Sequence, residues 1–123
     1  MKQYLLKRIK SFKYAFQGLW TLVKTQPNAK IHLVAIVVVV LAGLYLGCNN
    51  QEWAILCLTF GSVLAAEALN TALEFLTDLV SPDYHELAGK TKDVAAAGVL
   101  IAAIAAVFVA VFIFLPKIQA LLH

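Results

Sequence analysis

WAILCLTFGSVLAAEALNTALEFLTDLV, residues 53–80, is apolar enough to enter a bilayer, yet it carries Glu67, Glu74 and Asp78 before it stops at Ser81-Pro82. Glu67, Asn70, Glu74 and Asp78 are spaced 3, 4 and 4 apart. At 100° per residue they share one face of a helix. A carboxylate in a span costs roughly 2.5–3.5 kcal/mol by insertion scales, less near the interface. Such a residue is therefore read first as functional. The bland alternative is pairing with Lys or Arg from a neighbouring helix. No spanning segment contains a Lys or Arg deep enough to partner Glu67.

Outward from this run the chain reads as two further spans. Ile31 to Cys48 is apolar apart from His32 at its start, and Asn49-Asn50 form the turn after it. Val94 to Leu115 holds no charge and ends at Pro116. Its many alanines, with Gly98, permit close packing against other helices, including those of neighbouring subunits. The expected spans are 30–49, 53–80 and 94–116, with a loop over 81–93.

The first 26 residues read as an amphipathic surface helix. Leu5, Ile9, Phe12, Phe16, Leu19 and Val23 recur at helical spacing, with Lys7, Arg8, Lys10 and Lys13 mostly off that stripe. Pro27 separates this helix from the next. The fold class is thus all-α integral membrane protein: a surface helix and three transmembrane helices in one 123-residue domain.

Composition agrees. The chain is 62% hydrophobic and 14% charged, far from the soluble average, and its mean hydropathy is +0.82. Disorder and a large multidomain enzyme are excluded. Nucleic acid is not an expected partner, because no soluble scaffold remains to present the basic groups. The net charge of +3 conceals an asymmetry: residues 1–30 hold seven of the ten basic groups and no acid. The positive-inside rule then puts the N-terminus and the 81–93 loop in the cytoplasm, and the 49–52 turn and C-terminus outside. No cleavable signal peptide is read. Cys48 and Cys57 read as packed apolar residues. Gly43 and Gly47 form a lone GxxxG, too common a pattern to use.

Depth narrows the role of the acidic face. Glu67 lies eleven residues before Asp78, roughly 16 Å deeper at 1.5 Å per residue. The face runs from the inner surface into the acyl region, which suits chemistry between a cytoplasmic reagent and a lipid headgroup. It suits a proton- or cation-conducting oligomer less well, since the outer halves of both runs lack charge. A non-catalytic scaffold is a third reading. In the loop, Gly89-Lys90-Thr91 mimics the tail of a P-loop, but position 84, where the motif needs Gly, is Tyr. Lysines can hold phosphates and carboxylates can hold Mg²⁺, so the residues alone suggest a membrane enzyme using a phosphorylated reagent.

Glu67-Ala-Leu-Asn-Thr-Ala-Leu-Glu-Phe-Leu-Thr-Asp78, followed by Tyr84-His-Glu-Leu-Ala-Gly-Lys-Thr-Lys-Asp93, strongly resembles the signature of the prokaryotic diacylglycerol kinase family. The resemblance covers nearly the whole chain. It implies a homotrimer with active sites shared between subunits in the bacterial inner membrane. It also implies transfer of the γ-phosphate of ATP, with Mg²⁺, to a lipid alcohol. Carried over, Glu67 matches the general base toward the lipid hydroxyl and Asn70 a residue orienting the reacting groups. Glu74 matches a metal ligand, and Asp78 sits with the nucleotide–metal shell. Lys92 matches a phosphate-binding lysine, with Asp93 its neighbouring acid. His85 and Glu86 match the loop near the nucleotide, while Lys10 and Tyr14 match positions that close over it. The resemblance departs at Gln26, where family members commonly carry a Glu as second metal ligand. Gln offers a neutral carbonyl oxygen. Either metal affinity is lower, or another acid such as Asp78 compensates, or the protein is impaired. Phe12–Leu19 with Asn28–His32 looks somewhat closer to the undecaprenol-kinase branch; diacylglycerol and undecaprenol both stay open as acceptors.

Overall fold

The computed structural model describes all 123 residues as four helices: α1 (Lys2–Thr25), α2 (Pro27–Leu46), α3 (Asn50–Val80) and α4 (Glu86–Leu122). The last three are long and apolar enough to cross a membrane. At 1.5 Å per residue α3 is roughly 46 Å long and α4 roughly 55 Å. Both exceed a hydrocarbon core of about 30 Å, so their polar ends project beyond it.

Local chemistry sets each boundary. Gln26 is extended (φ −110°, ψ 111°) and Pro27 opens α2 at its first turn, where a missing N–H costs nothing. Gly47 ends α2 in the left-handed region (φ 74°), with the Cys48 N–H donating to the Gly43 carbonyl at 3.0 Å. Asn49 then caps α3. Its side chain accepts from the Glu52 N–H at 2.9 Å, and the Glu52 carboxylate accepts from the Asn49 N–H at 3.0 Å. The two glycines of the GxxxG pattern thus have separate tasks. Gly47 ends a helix, and Gly43 lets the Trp53 ring lie on the α2 backbone, since a Cβ there would sit 2.6 Å from the indole.

Several boundaries differ from the sequence reading: α2 spans 27–46 rather than 30–49, α3 begins at Asn50 rather than at 53, and α4 differs at both ends. The 81–93 segment is non-helical only over 81–85. His85 caps α4, its Nδ1 accepting from the Leu87 N–H at 3.1 Å, and Glu86 pairs with Lys90 one turn on at 3.4 Å. Polar residues there mark an exposed helical turn. Pro116 lies inside α4 rather than ending it. The proline withdraws one donor from the Phe112 carbonyl, but Lys117 is held by Glu52 of α3 at 3.0 Å and the helix continues to Leu122.

α3 and α4 form the main hairpin, with α2 laid across it. The core lies at the end near the 47–49 turn: Leu56, Ile113 and Phe114 are buried, with Trp53, Phe60, Val39 and Leu46 against them. Only 11 of 123 residues are buried, so most apolar side chains face outward to lipid or to other chains. Leu22 is the one buried residue of α1. The stripe from Leu5 through Leu19 is more than half exposed, as a helix lying on a membrane requires.

Candidate functional site

The polar burial of the molecule is concentrated on one face of α3. Glu67 is 1% exposed, Asn70 7%, Thr71 4% and Thr77 9%. Thr77 satisfies itself by donating to the Leu73 carbonyl at 2.6 Å. The others do not: Glu67 Oε2, Asn70 Oδ1 and Thr71 Oγ1 are buried without a hydrogen-bond partner. A buried unpaired polar atom costs roughly 1–3 kcal/mol. Three within five residues set this stretch apart as the candidate site.

Along the same face Asn70 Nδ2 donates to Glu74 Oε1 at 3.3 Å, leaving Glu74 Oε2 free to face outward. One turn further, Asp78 is paired with Lys92 of α4. Both ends of that ion pair are substantially exposed, so it contributes little to stability and can open. The structure thus brings Glu67, Asn70, Glu74, Asp78 and Lys92 into one line.

Two clefts flank the line. One, of about 290 Å³, is lined by Asn28, Ile31, His32, Glu67, Asn70 and an apolar face of α4. The other, of about 620 Å³, lies between α3 and α4 and includes Asn70, Lys90 and Thr91. Asn70 lines both, between a largely apolar recess holding the carboxyl and a groove with a basic rim.

The remaining sequence candidates do not converge within one chain. Lys10 and Tyr14 are exposed on α1, ahead of the part of that helix that packs on α3 near Thr71. Gln26 is half-buried at the α1–α2 junction, its amide donating to Thr25 Oγ1 at 3.3 Å. His85 and Glu86 cap and pair at the start of α4, and Asp93 is exposed. No three metal-ligating side chains come together. The donor set still suits a nucleotide-borne Mg²⁺. That ion usually takes one or two carboxylates, keeps waters and draws its other ligands from phosphates. Glu74 and Gln26 are the side chains the sequence reading offers for it.

The sequence reading missed His32. Its Nε2 stands 3.6 Å from Glu67 Oε2, with the ring 19% exposed. The search for a partner to Glu67 considered only Lys and Arg. A single His in one apolar run and a single deep acid in the next was the available signal.

Known proteins resemble the chain along its length. The profile of the prokaryotic diacylglycerol kinase family matches residues 13–114. The undecaprenol kinase of Bacillus subtilis (strain 168) is 36% identical over 109 residues, covering 89% of each chain. A diacylglycerol kinase of Synechocystis sp. is 44% identical over 113 residues, 91% of this chain and 65% of that protein. The diacylglycerol kinase of Escherichia coli (strain K12) is 32% identical over 99 residues, 80% of this chain and 81% of that one.

Proposed function

This chain belongs to the prokaryotic diacylglycerol kinase family, and from that premise we propose that it transfers the γ-phosphate of ATP to the hydroxyl of a membrane lipid alcohol, diacylglycerol or undecaprenol. It is a phosphotransferase acting on an alcohol, and a multi-pass protein of a bacterial membrane. Its place is in phospholipid or polyprenyl-phosphate metabolism. The observation that carries the reading is Glu67: a carboxyl 1% exposed, with one oxygen unpaired, at the membrane end of a polar line that reaches an exposed lysine.

The proposed mechanism gives each side chain a role that its position supports. Glu67 takes the proton of the lipid hydroxyl as its oxygen attacks the γ-phosphorus in line. Asn70, which lines both clefts, orients hydroxyl and phosphate toward each other, the positioning that most of the rate depends on. Lys92 exchanges Asp78 for a phosphate oxygen as nucleotide enters, and Asp93 lies beside it. Glu74 and Gln26 would hold Mg²⁺, which when bound would neutralise phosphate charge. Lys10 and Tyr14 on α1, and His85 and Glu86 at the start of α4, close over the nucleotide from the membrane surface. The seven basic groups of residues 1–30 support a cytoplasmic N-terminus.

Homotrimeric assembly with shared sites accounts for two features of the single chain. Most of its apolar residues lie outward, and its nucleotide-side candidates are dispersed. The test is transfer from γ-labelled ATP in mixed micelles, comparing diacylglycerol with undecaprenol. One of the two lipids is expected to accept label. Labelling of neither, with ATP-independent cation conductance in liposomes, would instead establish a conducting oligomer.

A further inference from the structure

Glu67 has one titratable neighbour outside its own helix, and it is His32 on α2. The imidazole Nε2 is 3.6 Å from Glu67 Oε2, less than an ångström beyond hydrogen-bond range. That oxygen is the one left without a partner. The pair lines a single recess, and α4 completes it with Ala96, Val99, Leu100 and Ala103, none of them polar. The apolar slot on the far side of His32 contributes Thr59 as its other polar group. No other titratable side chain faces the ring in either space. Two asparagines, Asn28 and Asn70, also line the recess, but neither titrates. Placing a buried carboxyl beside a partly buried imidazole is costly unless the two act together.

We propose that His32 is a positioning residue for Glu67 and the acceptor of the proton that Glu67 removes from the lipid. This rests on the lipid-kinase reading and extends it by one step. The hydroxyl oxygen of the lipid forms a bond to the γ-phosphorus. The bond from that phosphorus to the bridging oxygen breaks, and its electron pair leaves with ADP. The hydroxyl proton goes to Glu67. It passes from Glu67 Oε2 to Nε2 of a neutral His32 carrying hydrogen on Nδ1, and the imidazolium releases the Nδ1 proton to water at the exposed edge of the ring. Glu67 is returned to its carboxylate without having to meet bulk water itself. After that release the hydrogen sits on Nε2, from where it can donate to Glu67 Oε2 and hold the carboxylate toward the recess; proton exchange with water returns it to Nδ1 before the next proton arrives.

The experiment uses the full-length protein in mixed micelles with labelled ATP. His32→Gln keeps a polar side chain of similar reach but cannot take up a proton. It is expected to lower kcat about tenfold or more while KM for ATP stays unchanged. His32→Ala is expected to regain rate when imidazole is added, with saturation, and Glu67→Gln is expected to gain nothing from it. Wild-type kcat in His32→Gln, or no imidazole rescue of a folded His32→Ala, would overturn the role. Should both His32 variants fail to fold, ring ¹⁵N spectra of the histidines in the wild type and in Glu67→Gln decide. The chain has three histidines, so His85 and His123 act as internal references. A change confined to His32 supports the pair, and an unchanged His32 overturns it. Wild-type protein that transfers no phosphate overturns the kinase reading and this step together. Active wild type with an indifferent His32 overturns this step alone.

Discussion

At the scale of single residues, function is concentrated where burial and polarity conflict. Glu67, Asn70 and Thr71 keep polar atoms buried without partners, a cost that packing alone does not require. Glu74 has a different position, half-buried with one oxygen held by Asn70. Glu74→Ala is expected to abolish transfer or to raise the Mg²⁺ concentration needed for half-maximal rate. An unchanged Mg²⁺ titration would remove it from the metal site. Restoring an acid by Gln26→Glu is expected to lower that concentration, because a carboxylate holds a hard cation more strongly than an amide oxygen. The acidic face was legible in the sequence, since a spacing of 3, 4 and 4 needs only helix geometry. His32 was not legible in the same way. Nothing in either apolar run states which residues of α2 and α3 meet, and a neutral imidazole costs less in a span than a lysine.

At the scale of elements, the hairpin turns are set by chemistry that can be removed one group at a time. Asn49→Ala deletes the cap of α3 and is expected to cost about 1 kcal/mol, read from unfolding in detergent. Gly43→Ala drives a Cβ to 2.6 Å from the Trp53 ring and is expected to cost about 1–3 kcal/mol by overpacking. Gly43→Ala paired with Trp53→Leu should recover part of that loss; no recovery would refute the contact. The turn after α2 was read at Asn49-Asn50, three residues past the end of α2 at Leu46, because Gly47 as a helix stop was not recognised. Helix identities were readable from apolar run length, and the Gln26-Pro27 break from its own residues. The two ends of α4 were not. The start of α4 hides in a polar stretch because an exposed first turn and a loop have the same composition. Its continuation past Pro116 depends on Lys117 reaching Glu52 on another helix, a tertiary contact that overrides the local signal.

At the scale of the whole molecule, the chain keeps few residues from its surroundings. Its deep carboxyl stands apart from its core: Leu56, Ile113 and Phe114 pack at the end near the turn after α2, and Glu67 lies about 16 Å along α3 from Leu56. On the proposed function, that separation leaves the Glu67 end of the hairpin for lipid and nucleotide. Composition told the class of molecule, a chain with three helices apolar enough to span a membrane. One chain does not distinguish a surface for lipid from a surface for another subunit, because either would be apolar. The central claim is that buried Glu67 removes the lipid's proton. The measurement that tests it most directly is phosphate transfer from γ-labelled ATP to the lipid acceptor by wild type and by Glu67→Gln, with nucleotide binding measured on both. The account predicts that Glu67→Gln binds nucleotide as the wild type does and transfers no measurable phosphate. Near-normal transfer by Glu67→Gln would contradict it.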